Sequence, residues 1–90
     1  MKRSLLVLGG GESGTGAALL AKKEGYQVLV SDQGPIAEKY KTMLQEANVP
    51  YEENGHSFET FFEFSEVVKS PGIPDHLEFI QAFGQQGIPV

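Results

Sequence analysis

Apolar residues along this chain alternate between short continuous runs and longer stretches in which they recur every three or four positions. Leu5-Leu6-Val7-Leu8 is a continuous run closed by glycine, the pattern of a strand buried on both faces of a parallel sheet. From Ser13 to Glu24, the small residues Gly14, Gly16, Ala17 and Ala18 suit a helix lying close against a sheet. Leu19 and Leu20 add bulk there, and Gly25 supplies a C-terminal stop. Gln27-Val28-Leu29-Val30 then reads as a second strand. After Gly34-Pro35, the residues Ile36, Tyr40, Met43, Leu44 and Ala47 fall at helical spacing with Glu38, Lys39 and Lys41 between them, which predicts an amphipathic helix.

The second half of the chain repeats the alternation less clearly. Val49-Pro50-Tyr51 is a short strand signal, and Glu52-Glu53-Asn54-Gly55 reads as a solvated turn. Ser57 is placed to cap a short helix containing Phe58, Phe61 and Phe62, with a strand through Val67 and Val68 after it. Ser70-Pro71-Gly72-Ile73-Pro74 ends that strand, because two prolines and a glycine prevent regular continuation. Asp75, with Glu78 three residues on, resembles a capping box and opens a helix carrying Leu77, Ile80 and Phe83. Gly87 ends it, and Ile88-Pro89-Val90 looks like the start of a fifth strand. The pattern predicts an α/β fold: a Rossmann-like, doubly wound, parallel five-stranded sheet in the order 3-2-1-4-5, with helices on both faces.

Composition narrows what such a fold does here. Ninety residues make a single domain, 1–90, with room for about one ligand pocket. The formal net charge of -5, with no basic cluster longer than a pair such as Lys22-Lys23, argues against nucleic acid and anionic membrane surfaces as partners. No cysteine is present, so a disulfide framework and a thiolate metal site are both excluded, in keeping with a cytoplasmic protein. Met1-Lys2-Arg3 precedes an apolar run too short for a signal peptide, and no stretch reaches membrane-spanning length. The sequence stops where a strand begins, which suggests an N-terminal piece of a longer protein.

Candidate chemistry gathers in three loops. Gly9, Gly11 and Gly14 have the G-x-G-x-x-G spacing of a strand-to-helix turn that receives a pyrophosphate on backbone N–H groups. The same glycines also serve close packing of helix on strand. Ser13 offers a hydroxyl to phosphate or to the helix end. A carboxylate at Glu12 would repel phosphate, so its amide alone is expected to contribute. Asp32, at the end of the second strand, is suited to accept from ligand hydroxyl or imide donors, or to shape the turn before Gly34-Pro35. Ligands of open α/β sheets bind beyond the carboxyl ends of the strands where the order reverses, and there the glycine turn, Ser31-Asp32-Gln33-Gly34 and Ser70-Pro71-Gly72-Ile73 converge. His56 and His76, 20 residues apart, read as a solvent-exposed loop and a helix start, not metal ligands. Phe58, Phe61, Phe62 and Phe64 read as core and sheet-covering residues, because an aromatic nucleic-acid platform requires basic neighbours and this segment is acidic.

Val7-Leu8-Gly9-Gly10-Gly11-Glu12-Ser13-Gly14, Val30-Ser31-Asp32 and Val68-Lys69-Ser70-Pro71-Gly72-Ile73-Pro74 together closely resemble the N-terminal domain of the D-glutamate-adding Mur ligases of peptidoglycan synthesis. The Ser-Pro-Gly-Ile element discriminates best, since dinucleotide-binding domains share the first two features without it. The resemblance covers essentially the whole chain and implies a domain that holds the UDP end of UDP-N-acetylmuramoyl-L-alanine. It implies that Gly11, Glu12, Ser13 and Gly14 meet the diphosphate and that Asp32 and Gln33 face the polar edge of uracil. Ser70 and Gly72 would line the uridine pocket. ATP, Mg²⁺ and the catalytic residues would belong to central and C-terminal domains of the parent ligase, leaving this chain with no cofactor and catalytically silent. Glu12, where an uncharged residue is usual, and Gln33-Gly34 after Asp32 depart from the family pattern. Two other readings stand beside this one: an NAD-binding domain of an oxidoreductase or regulatory protein, and a scaffold domain without ligand.

Overall fold

The computed structural model describes residues 3–74 and 77–90. Its elements alternate as the hydrophobic pattern predicts: β1 (Ser4–Leu8), α1 (Glu12–Lys23), β2 (Gln27–Ser31), α2 (Glu38–Glu46), β3 (Tyr51–Glu52), α3 (Phe58–Phe61), β4 (Glu66–Lys69) and α4 (Glu78–Gln85). The strands form one parallel sheet in the order β3-β2-β1-β4, so the sheet reverses direction of growth between β1 and β4.

The continuous apolar run of β1 is explained by its central place. Leu5 and Val7 point to one face, where they join Val28 and Val30 of β2, Ala18 and Ala21 of α1, and Leu44 of α2. Leu6 and Leu8 point to the other, against Phe61 of α3, Val67 of β4, and Ile80 and Phe83 of α4. Leu6, Val7 and Leu8 are fully buried, each such side chain stabilising the fold by about 1.5–3 kcal/mol relative to exposure. Register pairs Val7 with Val30 on one side and with Val68 on the other.

Several expectations need correction. The described residues form four strands, not five. Ile88-Pro89-Val90 does not pair as a strand; its tie to the sheet edge is the Val67 N–H donated to the Pro89 carbonyl at 2.9 Å, and proline has no N–H with which to continue a ladder. Ile36 precedes α2 instead of sitting in it, and is buried against Gly10. Phe61 is buried, but Phe58 and Phe62 are exposed, because a helix of one turn can turn only one of its faces to the sheet. Ser57 occupies the N-cap position of α3 without a capping bond; its hydroxyl goes to Glu52 instead. Asp75 of the proposed capping box, and His76, lie outside the described residues. The helix begins at Glu78, so Glu78 is its first residue and not the third that a capping box requires.

One contact sets the position of α1. A Cβ at Gly14 would sit 1.8 Å from the Gly9 carbonyl oxygen, whereas a Cβ at Gly16 would meet nothing within 4 Å. Gly14→Ala is therefore expected to destabilise the domain by about 3 kcal/mol or more, since the clash is with backbone and not with a movable side chain. Gly16→Ala should be neutral or stabilise by up to about 1 kcal/mol. Thermal melts of the two variants check the contrast, and equal behaviour would contradict the packing described here.

Candidate functional site

The three loops nominated by the sequence meet at the carboxyl ends of β1, β2 and β4. Backbone bonds hold them there: Gly9 N–H donates to Ser31 O at 2.8 Å, and Ser70 N–H to Leu8 O at 2.9 Å, extending the ladders one step beyond the strands. Gly9 then turns with φ +107°, a conformation open to glycine, and a Cβ there would press on Ser70 at 2.9 Å. Gly11 is the N-cap of α1, which starts one residue earlier than expected, at Glu12. No side chain caps the helix, so the first-turn amides of Glu12, Ser13 and Gly14 point past Gly11, with the positive end of the helix dipole behind them.

Between the loops lies a cleft of about 620 Å³. Gly11, Asp32, Gln33, Ser70 and Gly72 line it, together with Gly9, His56, Ile73, Pro74, Leu77 and Phe79. Glu12, Ser13 and Gly14 stand outside that lining: Glu12 and Ser13 are exposed, and Gly14 is buried against Gly9. A Cβ at Gly11 would meet no protein atom within 4 Å, so the backbone is open on that side. Gly72 is similarly uncrowded, and its N–H donates only a long 3.4 Å bond to Ser70 Oγ.

Asp32 does more than the sequence suggested. Its Oδ2 accepts from Gly10 N–H at 2.7 Å and its Oδ1 from Gly34 N–H at 2.9 Å. The carboxylate thus ties the glycine turn to its own Asx-type turn. Each oxygen keeps a second lone pair, so turn-shaping and ligand-accepting roles coexist.

The acidic pair Glu52-Glu53 is not the solvated turn expected. Glu52 ends β3, and its carboxylate accepts from the buried Ser31 hydroxyl at 2.5 Å, from Ser57 N–H at 2.7 Å and from Ser57 Oγ at 2.6 Å. Burial by itself raises its pKa, but the bonds from Ser31 and Ser57 outweigh that and hold it below the ordinary value of 4.5. Glu53 accepts from Ile36 N–H at 2.8 Å and pairs with Lys41 at 3.1 Å, and both lower its pKa. Nor is His56 a solvent-exposed loop residue. Its Nδ1 lies 2.6 Å from Ser31 Oγ, and its ring is half-buried among Phe58, Phe61 and Phe79. Burial depresses its pKa below 6.5, although Glu52 and Asp32 pull the other way. Their network escaped the sequence reading because the contacts of Ser31 with Glu52 and His56 follow no motif spacing and form only when β3 docks beside β2.

Comparison with solved structures places this architecture among cell-wall ligases. A murein peptide ligase from Psychrobacter arcticus superposes with a TM-score of 0.82 at 26% identity, over 97% of this chain and 18% of that one. The fold is therefore that of a Rossmann-like domain of the Mur ligase class. More narrowly, residues 4–79 match the family model of the MurD N-terminal domain, and the chain belongs to that family. Curated relatives include the UDP-N-acetylmuramoylalanine--D-glutamate ligases of Christiangramia forsetii and Bacteroides fragilis, 44% and 48% identical over all 90 residues. The chain spans about a fifth (20%) of the length of these relatives.

Two outcomes test the site. Asp32→Ala leaves two partly buried amides without an acceptor and should cost about 1–3 kcal/mol, a fall in melting temperature of about 4–8 °C per kcal/mol. An unchanged melting temperature would contradict the bridging role. The second concerns pH. The folded-state pKa values of Glu52, Glu53 and His56 all lie below their ordinary values, so the unfolded chain binds more protons as each titrates. Their stabilisation is complete above those ordinary values and is lost as pH falls. Urea midpoints should decline below about pH 6.5 as His56 titrates and more steeply below about pH 4.5. Glu52→Gln should flatten the steeper part.

Proposed function

We propose that this chain is the UDP-binding domain of an ATP-dependent ligase that joins D-glutamate to UDP-N-acetylmuramoyl-L-alanine in peptidoglycan synthesis. The observation that carries this reading is the cleft at the sheet's switch point, lined by Gly11, Asp32, Gln33, Ser70 and Gly72, in a chain of the MurD N-terminal domain family. The uncapped amides of Glu12, Ser13 and Gly14 are suited to the diphosphate, with the Ser13 hydroxyl as a further donor. The exposed Glu12 carboxylate contributes its backbone, not its charge. Asp32 accepts from the imide N–H of uracil through lone pairs its turn bonds leave over, and the Gln33 amide donates to a uracil carbonyl. Ser70 and Gly72 bound the uridine from the far side.

Catalysis is assigned to the remainder of a three-domain parent enzyme, where ATP and Mg²⁺ would activate the substrate carboxylate. The central and C-terminal domains are then this chain's macromolecular partners, and the cytoplasm, where UDP-linked precursors are made, its compartment. No described helix is long and apolar enough to cross a membrane.

Titration of the chain with UDP-N-acetylmuramoyl-L-alanine, and separately with NAD, followed by amide NMR shifts, tests the reading. Shifts confined to residues 11–14, 32–33 and 70–72 and elicited by the UDP compound are expected. Preference for NAD would overturn the proposal, and silence toward both would favour the scaffold reading.

A further inference from the structure

His56 stands on the wall of the cleft beside Asp32, Gln33 and Phe79, yet the uridine reading gives it no task. Its proton arrangement follows from its neighbours. The Glu52 carboxylate is ionised and can only accept, and it already takes both donors of Ser57. The single proton of the buried Ser31 hydroxyl is therefore committed to Glu52 Oε2. Ser31 Oγ, 2.6 Å from His56 Nδ1, has only lone pairs left for that contact, so Nδ1 must carry the N–H and donate. A neutral imidazole has one N–H, which leaves Nε2 a bare acceptor. Among the described residues no buried side-chain nitrogen or oxygen lacks a partner, and Nε2 has no partner there, so it is open to solvent on a ring that lines the cleft.

We propose that His56 is a further ligand-binding residue, whose Nε2, held as an acceptor by Ser31 and Glu52, takes a hydrogen bond from an O–H donor of the bound nucleoside. The donor is a ribose hydroxyl, since Asp32 takes the base imide. This rests on the uridine reading above. It adds to Asp32 an acceptor whose tautomer is set from behind by a fully satisfied network, so a ligand lacking the matching donor would leave a desolvated nitrogen unpaired.

Side-chain ¹⁵N–¹H correlation spectra of the wild-type chain test this without any variant. The expected result is the Nδ1–H tautomer for His56, and on addition of UDP a shift of the Nε2 resonance together with the amides of residues 11–14. His56→Asn, which keeps a donor toward Ser31 but removes the distal nitrogen, should bind UDP about three- to tenfold more weakly. His56→Gln, which places a carbonyl near the Nε2 position, should recover part of that. Repeating the titration with 2′-deoxy-UDP and 3′-deoxy-UDP identifies the hydroxyl: the analogue that fails to move Nε2 is the one that lacks the donor, and movement with both as large as with UDP overturns the inference. An Nε2–H tautomer, or an Nε2 signal that stays still while amides 11–14 respond, overturns the inference about His56 and leaves the uridine reading standing. No amide response to UDP at all overturns both.

Discussion

Everything at the ligand end of this domain depends on how closely α1 approaches the end of β1. Gly14 lies against the Gly9 carbonyl at a separation that excludes any side chain, so the first turn of the helix starts directly over the strand it follows. That contact aims the uncapped amides of Glu12, Ser13 and Gly14 past Gly11 and leaves the backbone of Gly11 bare on its outer side. Because β1 is central and buried on both faces, the turn also has little freedom to move as a whole. A helix N-terminus is attractive to anions wherever it occurs, but here rigid placement makes the attraction directional.

The second support is Asp32. Its two oxygens reach backward to Gly10 and forward to Gly34, so the loops after β1 and β2 are joined by a side chain as well as by the sheet. Under the proposed function, binding and folding are thus coupled at this residue. The carboxylate proposed to recognise a base edge also sets the distance between the glycine turn and the loop after β2. A third loop, Ser70 to Pro74, closes the cleft from β4, and Ser70 is held by the Leu8 carbonyl at the end of the same central strand. All three walls therefore trace back to β1.

Behind the cleft, Glu52, Ser31, Ser57 and His56 form a network that gives the buried polar groups partners. It accounts for a strand as short as β3 staying in place: two residues of ladder are supplemented by side-chain bonds to β2 and to the start of α3. Glu53 adds a tie to the segment before α2, through Ile36 N–H and Lys41. Two adjacent carboxylates that read as solvent-facing are in fact anchors for opposite sides of the same loop. The Lys41 ammonium, bonded to Glu38 and then to Glu53, has its pKa raised and stays charged across the working range.

How much of this was legible in the sequence depends on the range of the interaction. Periodicity located α1, β1, β2 and β4 to within a residue or two, because a buried strand and a helix packed on it leave a repeating apolar signal. The glycine spacing identified the turn after β1 because a positive φ at Gly9 and the close approach at Gly14 tolerate few other residues. The Ser-Pro-Gly-Ile element carried the family resemblance, and the family model and relatives agree with it. What periodicity could not place were polar side chains whose partners lie far along the chain: Asp32 to Gly10, Glu52 to Ser31, Glu53 to Ile36, and His56 to Ser31. Sequence alone determined the alternation of elements and the place of the glycine turn after β1. Only the tertiary structure decided which polar groups meet, because a hydrogen bond between distant residues leaves no local pattern and exists only once the sheet has brought its loops to one edge.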